Sequence, residues 1–341
     1  MNSTDFQPGL YQIKGDSDSI VEACELEGGA SNRRYFRVRS NTQSWVVMVL
    51  ADEPLRSEEA VSGPIVTELP FISMQRFLMD GGVPVPRIHL FDKNAGHLWL
   101  DDLGDVVLGD QLLVAGSTER VERYCEAVDL LVNFQNATEG PRETPICYQR
   151  RFEQSLLQWE LDHYIEWRVE TQLVRALSAA EKERVSTLFE GLVSRLLNVP
   201  QILCHRDFQS RNLMVRPDNS LTLIDFQDAL MGPYCYDLVA LTRDSYVQLN
   251  FDEVSQIVDY YLQLRPDLED TAFRQAFHWQ TIQRKLKDAG RFVYIERVKH
   301  DPSFLQYIRP SLSYVRDALT QCPDLEPLSE MLANLDPEAF A

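Results

Sequence analysis

Three polar side chains stand at spacings that suit phosphoryl transfer. Asp207 and Asn212 lie five residues apart in the segment Leu-Cys-His-Arg-Asp-Phe-Gln-Ser-Arg-Asn at 203–212, and Asp225 closes an apolar run at 221–224. A carboxylate can take the proton of an attacking hydroxyl, while an amide and a second carboxylate supply the hard oxygens that Mg2+ prefers. Phosphoryl transfer needs that set, because positioning and charge neutralisation do most of its work. The elements that must position these groups are legible around them. Pro217, Asp218, Asn219 and Ser220 form a turn between two apolar stretches, 213–215 and 221–224, which reads as a hairpin with a buried strand on its far side. The segment 203–228 is thus expected to be a loop, a hairpin and an acid at the hairpin's exit.

The whole chain bounds the rest. With 341 residues, 44% hydrophobic and 25% charged, it is ordinary soluble globular material, and it is too long for one small core. The net charge of −19 argues against nucleic acid or an anionic membrane as a bulk partner, but not against a phosphorylated ligand held by local arginines and a metal. Six cysteines stand apart, with no Cys-x-x-Cys pair and no zinc spacing, as in a reducing cytoplasm. No uncharged apolar run reaches membrane-spanning length, and residues 1–10 hold an acid and a Pro-Gly pair without an apolar core, so neither a span nor a secretory signal is expected.

In the first third, 19–26 is mixed. A small-residue loop, Glu-Gly-Gly-Ala-Ser-Asn at 27–32, then precedes an alternating strand from Tyr35 and a buried strand at 45–50. Gly28, Gly29, Ser31 and Asn32 would let backbone N–H groups approach a phosphate, with Arg33 and Arg34 beside them. A helix is predicted over 70–80, opened by Pro70 and stopped by Gly81-Gly82, and strands at 87–91 and 97–100. The acidic stretch 101–105 is a hinge candidate, so the expected domains are 1–103 and 104–341. From Gln111 the chain reads as helical, with apolar periodicity over 120–135, 152–168, 179–197, 251–264, 271–286 and 310–319. The tail from Pro323 is acidic and expected to fray or pack weakly.

The phrases His-Arg-Asp-Phe-Gln-Ser-Arg-Asn and Ile-Asp-Phe, at 205–212 and 224–226, resemble those of the protein-kinase-like aminoglycoside phosphotransferase family, whose loop reads His-x-Asp-x4-Asn. Narrower phrases resemble the bacterial sugar kinases that phosphorylate the anomeric hydroxyl of N-acetylmuramate and N-acetylglucosamine. They are Gly-Ala-Ser-Asn-Arg-Arg-Tyr-Phe-Arg-Val at 29–38, Asp-Leu-Gly-Asp at 102–105, Asp-Phe-Gln-Asp-Ala at 225–229, a Gly-Pro-x-x-Tyr-Asp-Leu stretch at 232–238 and Gln-Arg-x-Leu-Lys-x-x-Gly at 283–290. The resemblance runs from about residue 26 to 319. It implies an α+β, two-lobed protein-kinase-like fold, with a small antiparallel-sheet lobe for ATP and a mostly helical lobe for the acceptor.

It implies Asp207 as the catalytic base and Asn212 and Asp225 as ligands of Mg2+. The glycine-rich loop and Asp102 would bind nucleotide. His205 and Asp237 would brace the loop, Asp237 by accepting backbone hydrogen bonds. The acceptor would meet Gln209, Arg211, Gln227, Asp228, Arg284 and Lys287, with Arg291 nearby; this basic set suits the lactyl carboxylate of N-acetylmuramate, or else pairs with surface acids. Arg206 and Arg211 stand open between substrate, phosphate and surface acids. A monomer is expected, with nucleotide and a small acceptor as its partners.

One departure stands out. Kinase-like folds carry a lysine on the third strand for the nucleotide's α- and β-phosphates, yet this strand reads Trp-Val-Val-Met-Val-Leu at 45–50, and no lysine occurs between Lys14 and Lys93. Met48 cannot replace an ammonium. Either the cation comes from elsewhere, with Arg33 or Arg34 the nearest, or the protein is a nucleotide-binding pseudokinase or scaffold. The intact Asp207, Asn212 and Asp225 favour the first account. The acidic helix partner is Glu68 at best. A different acceptor, an aminoglycoside, choline or homoserine, would want clustered acids, which Asp228, Asp237, Asp288 and Glu296 could supply.

Overall fold

The computed structural model describes residues 1–26, 34–50, 69–139 and 146–340, and divides into two compact units. The first comprises Met1–Val106 and Met214–Gln227. It begins with helix α1 (Ser3–Lys14), followed by strands β1 (Ile20–Leu26), β2 (Arg34–Ser40) and β3 (Ser44–Val49), helix α2 (Pro70–Asp80), and strands β4 (Ile88–Asp92) and β5 (His97–Asp101). The strands form one antiparallel sheet in the order β1-β2-β3-β5-β4. Two of these elements depart from the sequence reading. The mixed segment after Ser19 is a strand, and the N-terminus, given no element in the sequence reading, is a helix whose Phe6 and Leu10 are buried with Phe36, Val38, Trp45, Val47 and Trp99. Its Pro-Gly pair lies inside the helix and serves packing. A Cβ on Gly9 would lie 2.6 Å from the Trp99 indole, so only glycine lets the helix rest directly on that ring.

The second unit comprises Val107–Leu213 and Asp228–Ala341. It is built on α3 (Leu108–Val114), α4 (Ser117–Ala137), α5 (Gln154–His163), a π-helical continuation (Tyr164–Gln172) and α6 (Ala179–Asn198). Strand β6 (Gln201–Cys204) then leads into the 203–212 loop. The hairpin of β7 (Leu213–Val215) and β8 (Leu221–Leu223) follows, and it is bonded into the first unit: Val215 N–H donates to Val106 O at 2.9 Å and Leu223 N–H to Pro84 O at 2.8 Å. Strand β9 (Leu230–Pro233) returns to pair antiparallel with β6. A Cβ on Gly232 would lie 2.7 Å from the Phe152 ring, so the glycine lets this strand close on the core. Helices α7 (Tyr236–Thr242), α8 (Phe251–Leu264), α9 (Asp270–Lys299), α10 (Ile308–Thr320), α11 (Glu326–Leu335) and α12 (Pro337–Phe340) complete the unit. Helix α9 runs 30 residues without a break, absorbing the basic, aromatic stretch at 288–298. No helix among the described residues is long and apolar enough to cross a membrane.

The tail corrects an expectation. Helix α11 buries Leu328, Met331, Leu332 and Leu335 in the main core of the unit. Just beyond it, buried Asp336 takes Arg168 in a two-pronged pair, Nε at 2.8 Å and Nη2 at 3.1 Å, and a hydrogen bond from Tyr164 Oη at 3.3 Å. Acidic residues obscured a regular Leu-x-x-Met-Leu-x-x-Leu stripe. Replacing Leu332 with alanine should therefore cost about 2–5 kcal/mol in denaturant unfolding, whereas a fraying tail would show almost no change.

Candidate active site

Strand β6 delivers the chain to His205 and Arg206, where the backbone turns into the left-handed region, with Arg206 at φ +77°. A side-chain-bearing residue rarely takes this conformation, which costs about 1–3 kcal/mol unless its surroundings enforce it. Here they do. Asp237, in the first turn of α7, accepts the N–H of His205 at 2.7 Å and that of Arg206 at 3.0 Å. From α9, Arg284 donates Nη1 to the Arg206 carbonyl at 2.8 Å and holds Nη2 3.4 Å from Asp207 Oδ1. The Arg284 guanidinium lies over the Tyr236 ring and is almost wholly buried. The His205 ring is also buried, edge-on to Phe134 and Phe208. From this dense base the Asp207 side chain emerges 46% exposed.

The loop's second half is tied as firmly. Gln209 N–H donates to Asp207 O at 2.8 Å, and Asn212 N–H to Gln209 O at 2.9 Å. Ser210 gives both its N–H and its hydroxyl to buried Asp244. The Asn212 amide nitrogen donates to Asp207 O at 2.8 Å. Only a donor can serve a carbonyl, so that bond assigns the amide and leaves Asn212 Oδ1 as its outward oxygen.

Electrostatics favour an ionised Asp207. Desolvation by the surrounding protein pushes its carboxyl up, but the Arg284 guanidinium, then the Lys287 ammonium and Arg206, outweigh that and hold it below the usual carboxylate range. Asp237 goes the other way: burial pushes it up to about 6 against the pull of His205, Arg284 and the two N–H groups, which leaves it ionised at neutral pH.

Asp225 belongs to the first unit, exposed just past β8 at φ +63°, with Gln227 Nε2 2.7 Å from its Oδ1. Phe226 is buried against Phe71 of α2, which anchors the turn. Among the described residues no group of three or more His, Cys, Asp and Glu side chains could hold a metal. A divalent ion would need an amide oxygen beside carboxylates, and Asn212 Oδ1 is such a donor.

Of the nucleotide candidates, Gly28, Gly29, Ser31, Asn32 and Arg33 lie outside the described residues, as does Glu68. Arg34 is half exposed and forms a two-pronged pair with Glu25 at 2.7 and 2.8 Å. Asp102 is engaged on every side, accepting from Ser44 at 2.5 Å and the Gly104 N–H at 3.1 Å and pairing with Arg37 at 2.9 Å. Arg37 was overlooked in the sequence. Cross-strand pairing sets Arg37 opposite Val46, so it shares a sheet face with Met48. Its fork is committed to Asp102, Asp105 and the Gly104 carbonyl, which pins segment 102–105 to β2. The alternation of basic and apolar residues from Tyr35 puts Arg37 and Arg39 on that face, and of the two Arg37 is the buried one.

The acceptor candidates separate. Arg284, expected to touch the acceptor, is buried and turned to the loop. Gln227 is buried beside Asp225, while half-exposed Asp228 sits 4.0 Å from Arg150. Gln209 is partly exposed. Arg211 is exposed and stacks 3.6 Å from the Tyr246 ring centre. Lys287 pairs at 3.9 Å with buried Glu160.

Residues 22–276 match the phosphotransferase enzyme family. The chain is 31% identical to an N-acetylmuramate/N-acetylglucosamine kinase of Pseudomonas aeruginosa, covering 98% of this chain and 95% of that protein. It is 30% identical to the protein of the same name from Neisseria meningitidis, covering 90% and 88%. Among solved structures, choline kinase LicA from Streptococcus pneumoniae superposes with a TM-score of 0.62 at 17% identity, covering 92% of this chain and 98% of that one. The ADP-bound aminoglycoside phosphotransferase APH(2'')-Ib gives 0.60 at 18%, covering 97% and 99%. These likenesses show a protein-kinase-like fold, and the chain belongs to the phosphotransferase enzyme family.

Proposed function

We propose that the protein transfers the γ-phosphoryl group of ATP to the anomeric hydroxyl of N-acetylmuramate or N-acetylglucosamine, acting as a cytoplasmic monomer. The observation that carries this reading is Asp207, half exposed at the tip of a rigid loop and kept ionised chiefly by the buried Arg284 guanidinium. The near-full-length relatives bearing that kinase name supply the acceptor class. Asp207 would accept a hydrogen bond from the sugar hydroxyl, orient its oxygen and take its proton as the bond to phosphorus forms. Asn212 and Asp225 would hold Mg2+, which when bound neutralises charge on the nucleotide phosphates. Arg33 is the proposed replacement for the lysine missing at Met48; Arg34, opposite Val49, stands on the other sheet face and is paired with Glu25.

The acids suited to a cationic acceptor are largely spoken for. Asp237 holds the loop, Asp288 pairs with buried Lys285 at 2.7 Å, and Glu296 pairs with Arg297. That arrangement disfavours choline or an aminoglycoside.

Purified protein should phosphorylate the amino sugars from radiolabelled ATP, with loss of turnover on chelation and recovery with Mg2+. Asp207→Asn should lower kcat about 10²–10⁴-fold. ATP binding without transfer to any sugar would instead support a scaffold. Arg284→Met removes the first cation holding the Asp207 carboxyl down. A carboxyl with a higher pKa stays protonated to higher pH, so the acid limb of the kcat/KM profile should move upward. Arg284→Lys should move it less, and an unmoved limb in both variants would remove Arg284 from the account.

A further inference from the structure

Past Arg284, the same stripe of α9 carries Lys287, Arg291 and Tyr294 at helical spacing, each roughly one turn beyond the last. At 1.5 Å per residue they climb about 4.5, 10 and 15 Å from the residue that touches Asp207.

The interior of the unit fixes Lys287. Fully buried Gln280 donates to Gln283 at 2.8 Å, Gln283 donates to Glu160 at 2.7 Å, and the Lys287 ammonium lies 3.9 Å from the other Glu160 oxygen. A buried carboxylate is costly to keep; one oxygen of this one is bonded through two linked amides, and the other faces the Lys287 ammonium.

Further along, rings gather on the facing element. Trp159 packs at a tilt against His163 with centroids 4.2 Å apart, and Trp167 meets Tyr294 edge-on at 5.1 Å. Arg291 lies over Tyr294 at 4.6 Å. Trp159, Trp167, Tyr294 and Arg291 are all partly exposed. The two elements touch at the α-to-π transition, because a Cβ on Gly290 would lie 2.5 Å from the His163 carbonyl oxygen. π-helical turns are rare, and frequently sit at functional sites.

We propose that Lys287 and Arg291 bind a carboxylate carried by the acceptor sugar, while Trp167 and Tyr294 form a wall for the apolar face of its ring. The site then takes an acidic amino sugar in preference to its neutral parent. Cations on one side and partly exposed rings on the other fit a ring with one charged arm, since aromatic faces accept C–H surfaces and ammonium and guanidinium groups pair with carboxylates. This inference rests on the sugar-kinase reading above.

The test compares kcat/KM for N-acetylmuramate and N-acetylglucosamine in the wild type, Arg291→Met, Trp167→Ala and the double variant Lys287→Met with Glu160→Gln. The double variant avoids leaving Glu160 buried without its cation. Thermal melts establish folding, and Lys287→Arg serves as a charge-preserving control. The cation-removing variants should lower kcat/KM for the acidic sugar at least tenfold more than for the neutral one, mainly through KM, and high salt should mimic them. Trp167→Ala should weaken both sugars. Equal losses for the two sugars in the cation variants, or none, would overturn the proposal. If the wild type turns over neither sugar, the kinase reading fails separately. Calorimetric titration of both sugars into wild type and Arg291→Met then decides this point: selective loss of acidic-sugar binding supports the subsite, and equal or absent binding refutes it.

Discussion

A single peptide in an unfavourable conformation governs the site. Arg206 sits in the left-handed region, and nothing in its own side chain favours that. The conformation persists because the groups around it are over-determined: two N–H groups converge on Asp237 and one carbonyl meets Arg284. The turn that results lifts Asp207 out of a fully buried base. The strain is offset within the fold by bonds to a buried carboxylate and a buried guanidinium, each of which would be a liability without the other groups of the network. Arg284 serves twice, shaping the backbone and lowering the basicity of the carboxylate, so geometry and charge at Asp207 are set by the same side chain.

The first unit solves a different problem with a similar device. Its sheet face lacks the usual lysine at Met48, and Arg37, which shares that face, is locked to Asp102, Asp105 and Gly104. A guanidinium with both edges occupied stabilises a segment; it does not reach for phosphate. The arginines of β2 therefore divide between the two faces, with Arg37 structural on one and Arg34 at the strand's exposed start on the other.

Much of this was legible because local chemistry and tertiary role coincided. The spacing of Asp207, Asn212 and Asp225, the hairpin between them, and the helix at Pro70–Asp80 follow from turn residues and apolar periodicity. The failures share a cause: a long-range contact overrode a local signal. The helix at Ser3–Lys14 holds Pro8-Gly9 in its interior, and Gly9 is what allows its contact with Trp99. The acids of the tail read as solvent-facing, yet Asp336 is buried because Arg168, far away in sequence, meets it. Arg284 reads as an acceptor contact or the partner of a surface acid, and only the fold shows that it is buried and turned to the loop. No residue-by-residue pattern carries that information, since it depends on which helix packs where.

Helix α9 places these demands on one continuous rod. Arg284, the lysine and arginine beyond it, Gly290 and Tyr294 lie within eleven successive positions of a helix that runs unbroken over Asp270–Lys299. Inserting or deleting one residue there would turn everything beyond it by about 100° and shift it by about 1.5 Å. The glycine would then leave its contact with His163, and the rings and cations would leave the face they share with the loop clamp. Change in this stretch is thereby confined to exchange of side chains at fixed length, and a lineage that altered its acceptor would keep the helix's residue count while rewriting its stripe.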